Sequence, residues 1–392
     1  MENEAMSKII SDFCDSKVSL TEILQHRVTD ECLSLFNTNG TMVKTQKSKF
    51  LQSLTFSPIS PDEMRNYTAI IDMGFFWRYC IPSAEDREKG DETKYTWYDY
   101  ALKIFNCILR RHPNACTIVF VNDPYDIKES IKAEEHSNRS FIHGTKNIYI
   151  DSSGELPTKS NMSRFFGNKS NKIRLQQYLK GMFSKFVESY PNKEFIYSVQ
   201  RHCEDLKSKS SYTSFTCQHQ EADTIMFYIA NAIRGSGDAN AIIIDAEDTD
   251  VLVLSSYVSN RQEGILGFKR KKSVFDSRKL CSKEFSSIIV KVYELLGSDS
   301  LSAFFGRGKK AIVDRVSKKI DEVKVMLEDL GESLHMNDTI YEKVFQFVIK
   351  YVYNDKKNSS LAESRSTMWR KMKKKSTRRL PPDEDLHEPD LL

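Results

Sequence analysis

Ala241-Ile-Ile-Ile-Asp245-Ala-Glu-Asp-Thr-Asp250 is the stretch on which the reading turns. Its apolar run, mostly β-branched, is too short for a helix and suits a strand buried on both faces. Acids follow at once: Asp245, Glu247, Asp248 and Asp250. The same order recurs at Thr68-Ala-Ile-Ile71 before Asp72, and at Cys116-Thr-Ile-Val-Phe-Val121 before Asn122-Asp123. Glu194-Phe-Ile-Tyr-Ser-Val199 reads as a further strand. Helical periodicity lies between them. A helix over 95–111 carries Tyr98, Ala101, Leu102, Phe105 and Ile108 on one face. Another covers 173–190 and stops at Pro191. A third, over 221–234, presents Ile225, Met226, Ile229, Ala230 and Ile233 and ends at Gly235-Ser-Gly237. Residues 129–139 read as a charged helix and 143–170 as a polar loop. Strand character returns over 264–276, and helical patterns follow at 284–296, 310–330 and 340–353. Alternating strands and helices predict an α/β fold of three layers, with a central, mostly parallel sheet covered on both faces.

The 392 residues are 40% hydrophobic and 29% charged, which is enough for a large packed domain and ordinary for a globular one. A net charge of +4 is mildly basic and does not by itself select a partner. The eight cysteines include no C-x-x-C pair, so they read as reduced thiols rather than a disulfide framework. No signal-peptide pattern and no membrane-length apolar run is present. The expectation is a soluble nuclear or cytoplasmic protein, neither secreted nor membrane-bound. The breaker cluster Ser57-Pro-Ile-Ser-Pro61 marks a boundary. Residues 1–66 read as a partly helical arm, 67–330 as the main domain, 331–360 as a C-terminal helix and 361–392 as a charged, disordered tail. That tail contains Trp369-Arg-Lys-Met-Lys-Lys-Lys375 and Arg378-Arg379, a run compatible with nuclear import or nucleic-acid contact.

Acids delivered from several strand ends carry the chemistry. Ligands of open α/β sheets bind beyond the carboxyl ends of the strands. Carboxylates gathered there raise one another's pKa or bind cations, and an oxygen-only donor set suits Mg²⁺ or Mn²⁺. Two such ions can clamp a phosphodiester. His219-Gln-Glu-Ala-Asp223 adds Glu221 and Asp223 in the first turn of a helix. There the dipole favours anions, although an i, i+2 pair does not share a helix face. Each site also has a plainer reading, because an aspartate after a strand is a common helix N-cap.

Taken in order, these residues resemble a known family. Asp72, Asp123, Glu221-Ala-Asp223, Asp248-Thr-Asp250, Gly297-Ser-Asp299 and Gly306-Arg-Gly-Lys-Lys-Ala311 look like the successive motifs of the flap endonuclease/XPG-type 5′ nucleases, whose domain is PIN-like. The resemblance implies a PIN-like three-layer fold with a helix–three-turn–helix element and a helical C-terminal part. It implies metal ligation by Asp72, Asp123, Glu221, Asp223, Asp248, Asp250 and Asp299, with Asp72, Glu221, Asp223, Asp248 and Asp250 at the catalytic centre and two Mg²⁺ or Mn²⁺ ions as cofactors. Gly306, Arg307, Gly308, Lys309 and Lys310 then match a turn that grips a DNA phosphate at a helix N-terminus, with a monovalent cation in some members. Residues 126–132 resemble the start of the family's helical gateway, which would turn Lys128, Lys132 and Arg139 toward the nucleic acid. The sequence departs from the pattern in four places. It has E-A-D where many members have E-A-E, Asn122-Asp123-Pro124 where Phe-Asp-Gly is usual, Ser-Leu after Gly297-Ser-Asp299 where a longer polar turn is usual, and a long segment ahead of the first motif.

The function expected from this resemblance is a structure-selective, two-metal endonuclease on branched or duplex DNA. The alternatives are a PIN-like RNase and an inactive PIN-like module that binds nucleic acid or protein.

Overall fold

The computed structural model describes residue 8 and residues 18–26, 32–83, 95–125, 146–199, 201–235, 241–261, 264–298, 301–333, 336–372 and 376–383. The chain divides into two compact units, residues 56–280 and residues 1–55 with 281–392. This differs from the expected domain of 67–330. The N-terminal segment and the C-terminal helices belong to one unit, and the sheet belongs to the other.

The strands of residues 56–280 are β1 (Tyr67–Asp72), β2 (Ala115–Val121), β3 (Glu194–Val199), β4 (His202–Asp205), β5 (Ser211–Tyr212), β6 (Ala241–Asp245), β7 (Ile265–Arg270) and β8 (Ser273–Asp276). They form one sheet in the order β5-β4-β3-β2-β1-β6-β7-β8. The pairs from β3 through β7 are parallel, and β4, β5 and β8 add antiparallel edges. The parallel strands are the expected β-branched runs. Ile70, Ile71, Ile118, Val119, Ile243 and Ile244 are fully buried, as a sheet covered on both faces requires. Residues 264–276 are a hairpin. The edge strands β4 and β5 fall between the expected elements and are too short to show a period.

The helix Trp97–Arg111 begins at a capping box between Thr96 and Asp99 and buries Trp97, Tyr100, Ala101, Ile104, Phe105 and Ile108. The buried stripe is therefore rotated from the expected face, and Tyr98 is exposed. Residues 143–170, expected as a loop, include the helix Lys159–Gly167, which buries Met162, Phe165 and Phe166. Its apolar residues are too few to stand out in a polar sequence. The helix Ala222–Gly235 buries the expected Ile225, Met226, Ile229, Ala230 and Ile233.

Two registers locate the site. Asp72 of β1 lies opposite Val121 of β2, and Ile71 lies opposite Asp245 of β6. The chain leaves β1 toward β2 and later returns to β1's other side as β6. The space beyond the ends of β1 and β6 is thus a topological switch point.

The other unit is helical, with Leu20–Gln25, Lys283–Ser286, Ile289–Leu295, Lys309–Val316, Ile320–Leu327, Asp338–Phe347 and Leu361–Lys371. The expected disordered tail is folded over much of its length. Trp369 and Leu380 pack with Leu24, and the buried Arg365 guanidinium donates to the Leu24 and Pro381 carbonyls at 2.6 Å each. A basic composition hid this apolar anchor.

Gly297 adopts φ 94°, and a Cβ there would lie 2.7 Å from the Ala303 backbone. Ala303 cannot retreat freely, because its N–H donates to Val43 O at 2.8 Å. Gly297→Ala is expected to destabilise the chain by about 2 kcal/mol or more, read as a lower urea midpoint.

Candidate metal centre

Asp72 ends β1 and caps the helix Met73–Tyr79, accepting the Gly74 N–H at 2.9 Å. Asp248 follows β6 and caps the helix Thr249–Ser259, accepting the Asp250 N–H at 3.3 Å. The two readings of these acids are therefore compatible. One oxygen caps a helix, and the carboxylate still sits at the strand end. Asp250 occupies the first turn of the helix that Asp248 caps, and Asp223 occupies the first turn of Ala222–Gly235. Both positions favour anions.

Asp223, Asp248 and Asp250 each offer an oxygen within 4.8 Å of the others. Asp248 is exposed and the other two are half-buried. Three hard oxygen donors this close fit Mg²⁺ or Mn²⁺ better than a softer ion. Glu221, expected in the set, is not part of this cluster. Its backbone carbonyl accepts the Thr224 and Ile225 N–H groups, which starts the helix.

Asp72 is tied to the same centre electrostatically. Burial raises its carboxyl pKa to about 7, and the charges of Asp123 and, more weakly, Asp248 push the same way. The Phe75 and Gly74 N–H groups pull in the opposite direction.

Asp123, expected as a metal ligand, has hydrogen-bond partners within the fold. Its Oδ1 accepts the Ala222 N–H at 2.8 Å and its Oδ2 accepts the Tyr125 hydroxyl at 3.1 Å. A residue after β2 thus caps the distant helix that carries Asp223. The buried Asn122 alongside it donates from Nδ2 to Ser198 O at 2.8 Å, which ties the end of β2 to β3. Gln176 Nε2 donates to the Asp123 carbonyl at 2.8 Å. Burial and Asp123 keep the Tyr125 hydroxyl protonated by raising it well above its ordinary value. The Lys172 ammonium lies 4.2 Å from the Tyr125 ring centroid. Tyr125, Gln176 and Lys172 gave no sequence signal, because nothing in their spacing links them to Asp123.

Asp245 stands apart from the acids that follow it. It is fully buried and receives Arg111 Nε at 2.8 Å, an Arg111 terminal nitrogen at 2.6 Å and His112 Nε2 at 2.8 Å. Burial opposes its ionisation, yet His112 and Arg111 hold its carboxyl below the ordinary range. Burial depresses His112 in turn, so the ring is neutral at pH 7. Its Nε2–H donates to Asp245, and its Nδ1 accepts the Tyr67 hydroxyl at 3.1 Å.

Asp299, Lys128, Lys132 and Arg139 lie outside the described residues. The turn at 306–311 belongs to the helical unit. Gly306 has φ 69°, and Gly308 precedes the helix Lys309–Val316. Two basic residues of the turn are used internally, against expectation. The buried Lys309 ammonium donates to the Gly297 carbonyl and lies 5.0 Å from the Tyr293 ring centroid. Arg307 donates to Arg379 O at 2.8 Å and lies 4.0 Å from the Tyr353 ring centroid. Lys310 is exposed and pairs with Asp314 at 2.9 Å.

No protein-family model matches the chain, and no curated protein matches it. Among the described residues, no helix is long and apolar enough to cross a membrane.

Two outcomes follow from these charges. Without metal, a carboxyl raised from about 3.9 to about 7 contributes stability below the unfolded value and loses it as pH rises through 7. Asp72→Asn should therefore raise the urea midpoint of metal-free protein clearly more at pH 8 than at pH 5, because the loss accumulates between the unfolded and folded values. Equal effects at both pH values would contradict the assigned titration. Asp245→Ala strands Arg111 and His112 without their carboxylate and should cost about 3–5 kcal/mol in the same assay.

Proposed function

We propose that residues 56–280 form a PIN-like, divalent-metal-dependent phosphodiesterase that cleaves nucleic acid. The observation that carries this reading is the meeting of Asp223, Asp248 and Asp250 within 4.8 Å at the switch point of a parallel sheet, beside the charge-coupled Asp72. The ordered motifs of a flap endonuclease-like sequence supply the choice of phosphodiester over other substrates. Mg²⁺ or Mn²⁺, when bound, would supply water activation and charge neutralisation at the phosphate.

The chain's own groups have separable roles in this reading. Asp223, Asp248 and Asp250 hold the cation, and Asp72 is the nearby carboxylate whose proton yields to it. Asp123 orients the helix that presents Asp223. The Asp245–Arg111–His112 set fixes the end of β6, so the loop to Asp248 starts from a rigid point. A nuclear or cytoplasmic location accords with a nucleic-acid substrate.

The internal use of Arg307 and Lys309 favours a second reading of the substrate. With those side chains committed, the turn at 306–311 offers Lys310 as its exposed cation, which weakens the case for a dedicated duplex grip. A single-stranded RNA or DNA substrate then competes with branched DNA.

Purified full-length protein with Mn²⁺ should cut at least one of a flap, a duplex, single-stranded DNA and single-stranded RNA. Asp248→Asn and Asp250→Asn should each lower the rate at least about a hundredfold while retaining the far-UV circular dichroism of the wild type. Failure on every substrate, or unchanged rates in both variants, overturns the enzymatic reading. Tight, salt-sensitive binding without cleavage would point to an inactive binding module. Lys310→Glu separates the substrates, since it should weaken duplex binding selectively if the turn grips duplex backbone.

A further inference from the structure

A run of cations, Lys269-Arg270-Lys271-Lys272, lies at the end of β7 and in the turn into β8, and the centre described above does not use it. The sheet decides where it sits. β7 pairs in parallel with β6 and sets Lys269 opposite Asp245, so the turn emerges at the edge where Asp248 and Asp250 follow β6. One bond joins the two loops directly. Glu247, between Asp245 and Asp248, accepts the Lys271 N–H on Oε1 at 3.0 Å. Lys271 has φ 52° in a tight turn closed by the pairing of Arg270 with Ser273. The base of the hairpin is fixed too. Phe275 meets Phe56 edge-on with ring centroids 5.1 Å apart, and the Ile59 N–H donates to Val274 O at 2.9 Å.

These cations differ in what they have left to offer a ligand. Lys269 is buried, level with Asp245 on the next strand. Arg270 is half-buried, and its guanidinium carbon lies 5.7 Å from the Phe56 ring centroid. Lys271 and Lys272 are exposed, and among the described residues neither ammonium has an ion pair. If the turn served only to neutralise the acids, an ammonium would meet Glu247. The backbone N–H makes that bond instead, and both ammonium groups stay in solvent. Two cations open to a ligand thus stand on a turn bonded to the loop that delivers Asp248 and Asp250.

We propose that the β7–β8 turn grips the phosphodiester backbone beside the metal centre, with Lys271 and Lys272 binding phosphates that flank the metal-bound one. Glu247 is a positioning residue, which keeps the turn in register with Asp248 and Asp250 through the Lys271 N–H. This inference rests on the nucleic-acid reading of the centre and adds to it the part of the site that holds the strand. Contacts of this kind are electrostatic and independent of base sequence. They place the grip in the sheet unit itself, on the element that is bonded to the metal loop. The internal use of Lys309 and Arg307 in the helical unit leaves that role open.

The test measures binding of the full-length protein to a fluorescein-labelled single strand and to a labelled duplex, over a range of salt and with Ca²⁺ in place of Mn²⁺. The double variant Lys271→Ala/Lys272→Ala should raise Kd about tenfold at about 0.1 M salt and flatten the dependence of log Kd on log salt by about 1 to 2. With Mn²⁺ and a cleaved substrate, KM should rise by a similar factor while kcat changes less than about twofold. Glu247→Ala and Glu247→Gln remove the same charge, but the glutamine keeps an oxygen for the Lys271 N–H. Glu247→Ala should therefore bind about threefold more weakly than Glu247→Gln. An unchanged Kd and salt slope in the double variant overturns the grip even if the wild type cleaves, and so does a wild type that binds neither probe. Equal binding by the two Glu247 variants overturns the positioning role. Wild-type binding that loses its salt slope in the double variant, without any cleavage, upholds the grip and refutes the enzymatic reading alone.

Discussion

The parallel pairing of β1 with β2 on one side and β6 on the other is the constraint on which the rest depends. Parallel registers bring the C-terminal ends of these strands to one edge, with Asp72 level with Val121 and Ile71 level with Asp245. A one-residue slip in β1 would exchange the faces that its buried isoleucines pack against and carry Asp72 to the other face. The apolar burial of Ile70 and Ile71 therefore fixes the position of a charged group. Stability and site geometry are specified by the same register, and no disulfide occurs among the described cysteines.

That edge then has to accommodate negative charge, and it does so in two ways. Asp245 lies inside and is matched by Arg111 and His112, so its charge is settled within the fold. Asp248 and Asp250, a few residues later, have crossed the rim of the sheet and share space with Asp223 instead. Helix N-termini offset part of the repulsion, since each of these acids caps a helix or sits in a first turn. Asp72 resists carrying its charge chiefly because it is buried, with Asp123 and, more weakly, Asp248 adding repulsion. In the proposed function a divalent cation is the partner of Asp223, Asp248 and Asp250, whereas Asp245 already has its partners.

The parallel strands were legible because buried β-branched runs ending in acids leave a short-range signature. The same holds for Ala222–Gly235, whose apolar stripe is dense and whose glycine stop is explicit. The edge strands and the helix Lys159–Gly167 were not legible, because two to four paired residues, or a few aromatics in a polar stretch, create no period. At the site, sequence identified which residues carry charge but not which way each one is spent. Glu221 and Asp123 are as acidic as Asp223, yet both lie outside the three-acid group, and Asp123 caps the helix of Asp223 from across the sheet. Those assignments depend on distances between remote segments, which no local pattern encodes.

The turn at 306–311 carries the same lesson into the helical unit. A G-x-G-K-K sequence promises backbone approach and exposed cations, and both glycines remain where a phosphate could approach. Lys309, however, is placed by the helix it begins. Its stem is buried, and its ammonium finds the Gly297 carbonyl, itself fixed by a backbone conformation that suits glycine. Arg307 is likewise claimed by the Tyr353 ring and the Arg379 carbonyl. A cation satisfied inside its own unit loses those contacts if it turns to a ligand, so its net contribution to binding shrinks toward zero. The charge in a motif therefore measures its affinity for phosphate only after the internal acceptors have been counted. By that measure the acidic centre of the sheet unit supports a nucleic-acid enzyme more strongly than the basic turn does.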